Sequence, residues 1–420
     1  MSVSATRLPH DTGAAGSRAG AVLARERPLR VLTFSSLFPN SEQPTHGLFV
    51  WRRLQQMLAA GGIEATVVAP VPWFPSVRPR FGSYAEFARV ARQETLAGIE
   101  VHHPRYVVLP KLGMSLAPAL MALGVRDCVA RLHRARGFDL IDAHYFYPDG
   151  VAAAWIARSL DLPLAITARG TDLNLIARYP LPRAMIRWAA GRSRLNVTVS
   201  EALAARLREI GADPATTRTI PNGVDLDGFQ PLDRAASRRV LGLAERPWLL
   251  SAGQLVPTKG HDAAIRTLAE LPDWGLLIAG HGPEEQNLRA LARQIGVAER
   301  VAFRGRVSPE QMPTLYSAAD FLVLASQREG MPNVLLESLA CGTPVIATRV
   351  GACPDIVCEP VAGRLVDRAD PAAIAAAVRD LVRACPGREE VAGYARRFAW
   401  APSVEAQLLE FRRIARTWIA

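Results

Sequence analysis

The 420-residue chain exceeds what one hydrophobic core usually supports, so two domains of about 150–200 residues are expected. An apolar fraction of 49% excludes a disordered polymer, and no apolar run approaches the ~20 residues a spanning helix needs. The net charge of +11 rests almost wholly on arginine, with lysine only at Lys111 and Lys259, and favours anionic partners. No zinc-finger spacing, basic zipper or Lys/Arg block points to nucleic acid. The five cysteines are odd in number and lack CxxC spacing, which implies free thiols in a reducing compartment and no metal site. Residues 1–27, rich in Ala, Gly, Ser and Arg, read as a disordered leader rather than an export signal, which places the protein in the cytoplasm.

Leu29 to Phe34 is a short apolar strand after Pro28, followed by a Pro-rich loop to His46. Gly47 then opens a helix with Phe49, Val50, Leu54, Met57 and Leu58 on one side, and 65–69 returns as a strand. Strand, loop, helix, strand is the unit of a parallel sheet. Between Pro70 and Pro118 the pattern is irregular and mixes Trp73, Phe74, Arg78, Arg80, Phe81, Tyr84, Phe87 and Arg89, a composition suited to loop or to lipid headgroups. Further strands are expected at 140–143, 164–167 and 195–199, with helices at 150–160 and 201–210. The rhythm breaks at the turn Pro221-Asn222-Gly223, and a fresh strand and helix series starts at 248–250, 275–279, 300–303, 321–324 and 344–347. A final helix opens at Pro402. The reading is an N-terminal domain over 28–215, a C-terminal domain over 216–400 and a terminal helix, 401–420, packing back on the first lobe. Both domains are doubly wound α/β lobes, and ligands of such sheets bind beyond the carboxyl ends of the strands.

The most telling stretch runs from Glu329 to Glu337, through Gly330, Met331, Pro332, Asn333 and Val334, after the strand 320–324. A helix opening there points free N–H groups and a positive dipole end above the sheet. Glu329 in the loop and Glu337 one turn into the helix could lie on the order of 10 Å apart, a span suited to a nucleotide-sugar. Lys259, beside Gly260 at another strand-to-helix turn, is a phosphate site by electrostatics, although the segment lacks the Walker spacing. Gly280 and Gly282 form a similar turn, and Arg304-Gly305-Arg306-Val307 ends the next strand. Asp225-Leu226-Asp227 matches a D-x-D metal signature but sits in a turn at the domain junction, where it reads as coincidence.

These segments, with the Pro221 to Asp225, Gly342 to Ala347 and Ala399-Trp400 motifs, resemble the retaining glycosyltransferase family 4 with its GT-B architecture, two Rossmann-like lobes facing across a cleft. Pro44 to Val50 resembles the subgroup that builds bacterial cell-surface polysaccharides, including teichuronic-acid-type transferases. The resemblance implies that Glu337 holds the ribose and that Glu329 lies against the donor sugar. It implies that Gly330, Met331, Asn333 and Val334 present backbone N–H groups to sugar and diphosphate. Lys259 would neutralise the departing diphosphate, Gly305, Arg306 and Val307 would take the base, and Gly47 would approach the diphosphate. Two positions depart from the family pattern. Gln254 stands where many members carry Arg, and Arg169 where many carry His, so that Arg169 can stabilise charge but cannot act as a base. His144 is a further polar candidate for the cleft.

The implied activity is a retaining, metal-independent transfer from a nucleotide-sugar, UDP-linked by family frequency, to a lipid-linked or polysaccharide acceptor at the inner face of the membrane. Competing readings are a nucleotide-sugar epimerase of the same architecture and a catalytically weak sugar-nucleotide-binding protein. No cofactor is expected.

Overall fold

The computed structural model describes residues 27–109 and 113–419. The expected leader, except for its last residue, and Lys111 lie outside them. Two sheets organise the chain. Eight strands follow the order Thr217–Thr219, Leu195–Thr198, Leu164–Ala168, Leu140–His144, Leu29–Phe34, Ile63–Val68, Ile99–His102 and Gln93–Leu96. Six more follow the order Val301–Gly305, Gly275–Ala279, Trp248–Ala252, Phe321–Leu324, Val345–Thr348 and Gly363–Val366. The second sheet is parallel throughout. In the first, Gln93–Leu96 runs antiparallel to Ile99–His102.

Contacts group the described chain into two compact units, one of residues up to Ala143 with Ala152–Ala165 and those from Val404 onward, the other of His144–Val151 and Ile166–Ser403. In the first unit the helix Leu48–Ala59 buries Val50, Arg53, Leu54 and Met57. Arg53 is 1% exposed, and its guanidinium donates to Gln407 in the closing helix Trp400–Ile419. Burial pushes its pKa down to about 10 against the raising field of Asp142, so it stays charged at neutral pH.

In the second unit, successive strand residues serve opposite faces of the six-stranded sheet. Leu250, Leu277, Leu322 and Val345 join one apolar cluster, while Leu249, Ile278, Val323 and Ile346 join the other. Strands buried on both faces explain the continuous apolar runs of the sequence.

The described part of the segment between Pro70 and Pro118 holds more regular structure than its composition suggests. It holds the hairpin of Gln93–Leu96 and Ile99–His102, whose turn residues Ala97 and Gly98 both have positive φ, 43° and 82°. Its strands carry Glu94, Thr95 and Glu100 among the apolar positions, which hides the two-residue period. Gly363–Val366 escaped notice for a similar reason, being a short edge strand interrupted by Arg364.

Gly260 links the turn Pro257–Lys259 to the helix His261–Thr267 in a left-handed conformation with φ +69°, and a Cβ there would stand 2.0 Å from the Ala325 carbonyl oxygen. Gly296 has φ +71° with nothing nearby. Both Ala substitutions incur backbone strain on the order of 1 kcal/mol, and only Gly260→Ala adds a steric clash. Denaturant titration should show Gly260→Ala less stable than Gly296→Ala by about 2 kcal/mol or more; equal losses would contradict the close approach.

Candidate active site

In the second unit three strand ends meet at one edge of the six-stranded sheet. Gly253 N–H donates to the Ala279 carbonyl at 2.9 Å, Leu255 N–H to His281 at 3.0 Å, and Gly280 N–H to Gly305 at 2.8 Å. Gly280 permits the approach, since a Cβ would lie 1.7 Å from the Gly253 carbonyl oxygen. Gln254 is exposed, and its carbonyl oxygen accepts from His261 Nε2 at 3.1 Å. With that proton fixed, His261 Nδ1 accepts from the Ser251 hydroxyl at 2.8 Å, and burial holds the ring's pKa below its ordinary value. This buried pair anchors the loop that carries Lys259.

The Lys259 ammonium meets Glu329 Oε1 at 2.5 Å, and the Ser326 hydroxyl donates to the same oxygen at 2.7 Å. The two charged side chains are 27% and 10% exposed, so the pair is partly shielded from water and reachable from it. The Glu329 loop is fixed along its backbone as well. Gln327 N–H donates to Thr258 at 2.9 Å, the Asn174 amide to the Glu329 carbonyl at 3.1 Å, and Ala352 N–H to Gly330 at 3.1 Å. A Cβ on Gly330 would stand 2.3 Å from the Arg169 carbonyl oxygen, so the position admits no side chain.

Beside this loop, Arg169 links the polar groups. Its guanidinium donates to His144 Nδ1 at 2.7 Å and to Asn222 Oδ1 at 3.1 Å, and the Asn222 amide donates to Asn333 Oδ1 at 3.0 Å. Arginine can only donate, so His144 carries its ring proton on Nε2 and is neutral. Asn222 N–H also points at the Met331 sulfur, at 3.0 Å. The turn of Arg169 is held by Asp172, fully buried, which accepts from the backbone amides of Phe146 at 2.9 Å, Arg169 at 3.2 Å and Gly170 at 2.8 Å. Burial raises the Asp172 pKa, and these amides oppose the shift.

The helix Asn333–Ala340 follows, with Val334 and Met331 packed against the core, which leaves backbone groups as what those positions offer. Glu337 is 8% exposed, with one carboxylate oxygen accepting from the Tyr316 hydroxyl at 2.8 Å. Gly305 ends its strand with φ +63°, Arg306 reaches His281 Nε2 at 2.7 Å, and Val307 packs on the core. Gly47 belongs to the first unit, where a Cβ would fall 2.2 Å from the Leu37 carbonyl, so its own backbone surroundings require glycine. Asp225 accepts from the amides of Asp227 and Gly228 at 3.1 Å each, a local turn. Among the described residues no group of three or more His, Cys, Asp or Glu could hold a metal.

Sequence reasoning passed over Asn222, Asp172, Ser326, Tyr316 and His261. Asn222 read as half of an Asn-Gly turn; two residues on, Val224 pairs with Ala399 and its N–H bonds Phe398 at 2.9 Å, which anchors that turn.

Two family models cover most of the chain, glycosyltransferase family 4 over residues 47–227 and glycosyl transferases group 1 over 233–398. The D-inositol 3-phosphate glycosyltransferase of Mycobacterium tuberculosis H37Rv is 31% identical over 328 residues, 73% of this chain and 68% of that protein. Sucrose-phosphate synthase from Thermosynechococcus elongatus shares the fold with a TM-score of 0.74 at 20% identity, over 92% of this chain and 98% of that one. Anabaena HepE, solved in complex with UDP and glucose, aligns with a TM-score of 0.70 at 20% identity, covering 91% and 99%. The fold is therefore that of the GT-B glycosyltransferases, with parallel sheets in two lobes. The chain belongs to glycosyltransferase family 4, and it is a transferase.

Asp172→Asn tests the frame beneath Arg169. An amide side chain keeps one acceptor oxygen and turns an NH2 toward backbone donors, leaving at least one buried N–H unpaired. Unfolding measurements should show a loss of about 2 kcal/mol or more; an unchanged midpoint would mean that Asp172 does not hold the turn.

Proposed function

We propose that the enzyme transfers a sugar from a UDP-sugar, with retention at the anomeric carbon, to a lipid-linked or polysaccharide acceptor of cell-surface glycan synthesis. The observation that carries this reading is the Lys259–Glu329 pair, set at 2.5 Å in a loop braced against the Arg169 turn. In the proposed step the acceptor hydroxyl oxygen bonds to the anomeric carbon as that carbon's bond to the diphosphate breaks. The departing diphosphate takes the acceptor proton. Lys259, shared with Glu329 at rest, supplies positive charge where negative charge builds on the leaving group. Glu329 holds the donor sugar hydroxyls, and Glu337, oriented by Tyr316, receives the ribose. Gly330, Met331, Asn333 and Val334 offer backbone N–H groups to the sugar and diphosphate, and Gly305 to Val307 receive the base. Gln254 contributes polar contact in place of a second cation. Arg169, immobilised by His144 and Asn222, faces anionic charge as a fixed donor. UDP as the nucleotide is supported by Anabaena HepE, whose structure contains it.

The proposed chemistry needs no metal. Transfer from a UDP-sugar, followed as UDP release and product mass, should persist in EDTA. It should fall about 100-fold or more in Glu329→Gln and in Lys259→Ala. Near-normal rates in both variants would remove the mechanism, and an isomerised donor formed without acceptor would point to an epimerase.

No helix among the described residues is long and apolar enough to cross a membrane. We place the enzyme in the cytoplasm, touching the membrane surface through a patch of the first unit. Trp73 there is 53% exposed and Tyr84 43%, Phe74 packs with Phe81 and Tyr84 at 5.2 Å each, and Arg80 covers Phe81 at 4.9 Å. Aromatic rings beside guanidiniums suit an anionic interface. Wild-type protein should sediment with vesicles containing anionic lipid, and Trp73→Ala should do so several-fold less; equal sedimentation of both would exclude this patch.

A further inference from the structure

On the flank of the Glu329 loop the second unit contains an open cleft of about 390 Å³, lined by Asn174 and Arg178, by the first turn of the helix Glu201–Ile210 with Arg206, and by Arg328 and Gly351. Three arginines therefore line one small volume. Its lining contains a single carboxylate, Glu329, already matched by Lys259 and Ser326. Arg206 has one acidic neighbour, Glu209 at 2.5 Å, with a side chain 58% exposed. Among the described residues, Arg178 and Arg328 form no ion pair. Like charges that outnumber the acids around them repel one another, and a bound anion relieves that repulsion while accepting several charge-assisted hydrogen bonds. Among the described residues no aromatic side chain lines the cleft, which leaves no stacking surface there for a base or a neutral sugar ring. Two of its lining residues are braced, Gln327 by its N–H on the Thr258 carbonyl and Glu329 by the Asn174 side-chain amide on its carbonyl.

We propose that this cleft binds an anionic group, a phosphate monoester or a carboxylate, carried by the sugar acceptor. That the anion belongs to the acceptor rests on the transferase reading above; that the cleft takes an anion does not. The cleft shares the Glu329 loop with the proposed donor site, so an acceptor anchored there by its charge lies beside the sugar to be transferred. The arginines then select among acceptors, a specificity role separate from the Lys259 chemistry.

The test is calorimetric titration of the full-length protein with glucose 6-phosphate, glucuronate and glucose, each in saturating UDP so that the proposed diphosphate site is filled. Wild type should bind one or both charged sugars and not glucose, with affinity falling as salt rises. The charged sugar that binds more tightly identifies phosphate or carboxylate as the preferred group. Arg178→Gln combined with Arg206→Gln, and separately Arg328→Gln, should each weaken that binding at least tenfold, with UDP affinity unchanged. All three side chains are at least partly exposed, so the variants should fold, which circular dichroism checks. Binding of the charged sugars that is undiminished in the variants, or absent from wild type, overturns the proposal. Failure of wild type to bind UDP would instead count against the nucleotide-sugar reading, and the same titrations without UDP would still decide the cleft.

Discussion

The arrangement depends on one crowded loop. Between Ser326 and Gly330 the backbone passes so close to the Arg169 turn that residue 330 cannot carry a Cβ, and a Cβ on Gly351 would stand 2.3 Å from the Glu329 carbonyl oxygen. Held on two sides, the loop has little freedom to move its acid away from Lys259. Two side-chain charges 2.5 Å apart, 27% and 10% exposed, interact more strongly than a surface pair and still admit a ligand. On the proposed reading, a ligand bearing phosphates and hydroxyls would replace the partner of each charge, and the pair would be the resting state that substrate divides.

Buried polar groups provide the stiffness behind this loop. His261 fixes the segment before Lys259 through Ser251 and the Gln254 carbonyl. Asp172 gathers three backbone amides beneath Arg169. In the first unit Arg53, charged and fully enclosed, ties the helix Leu48–Ala59 to the closing helix through Gln407. Each such group costs desolvation and tolerates few alternative geometries, so each narrows the conformations open to the elements around it. The catalytic candidates are less buried than these supports, which leaves them accessible to ligand.

Much of the fold was legible because parallel strands buried on both faces must be apolar. The runs at 29–34, 248–250, 275–279 and 321–324 coincide with strands for that reason. The hairpin from Gln93 to His102 was not legible, because its polar residues blur the alternation that marks a strand. Helix periodicity placed Val50, Leu54 and Met57 on the inner face of Leu48–Ala59, but not Arg53, since a period assigns a face without saying what opposes it.

By itself the sequence determined the two α/β sheets and the glycine-bearing turns after their strands, because local geometry acts between near neighbours in the chain. Only the tertiary structure decided that Arg169 is held by His144 and Asn222, that Asn222 reaches Asn333, that Glu337 faces Tyr316, and that Arg178, Arg206 and Arg328 surround one cleft. These pairings join residues as far as 150 positions apart (328 minus 178). No local propensity encodes such a meeting; it follows from how the loops stack once the sheets have formed.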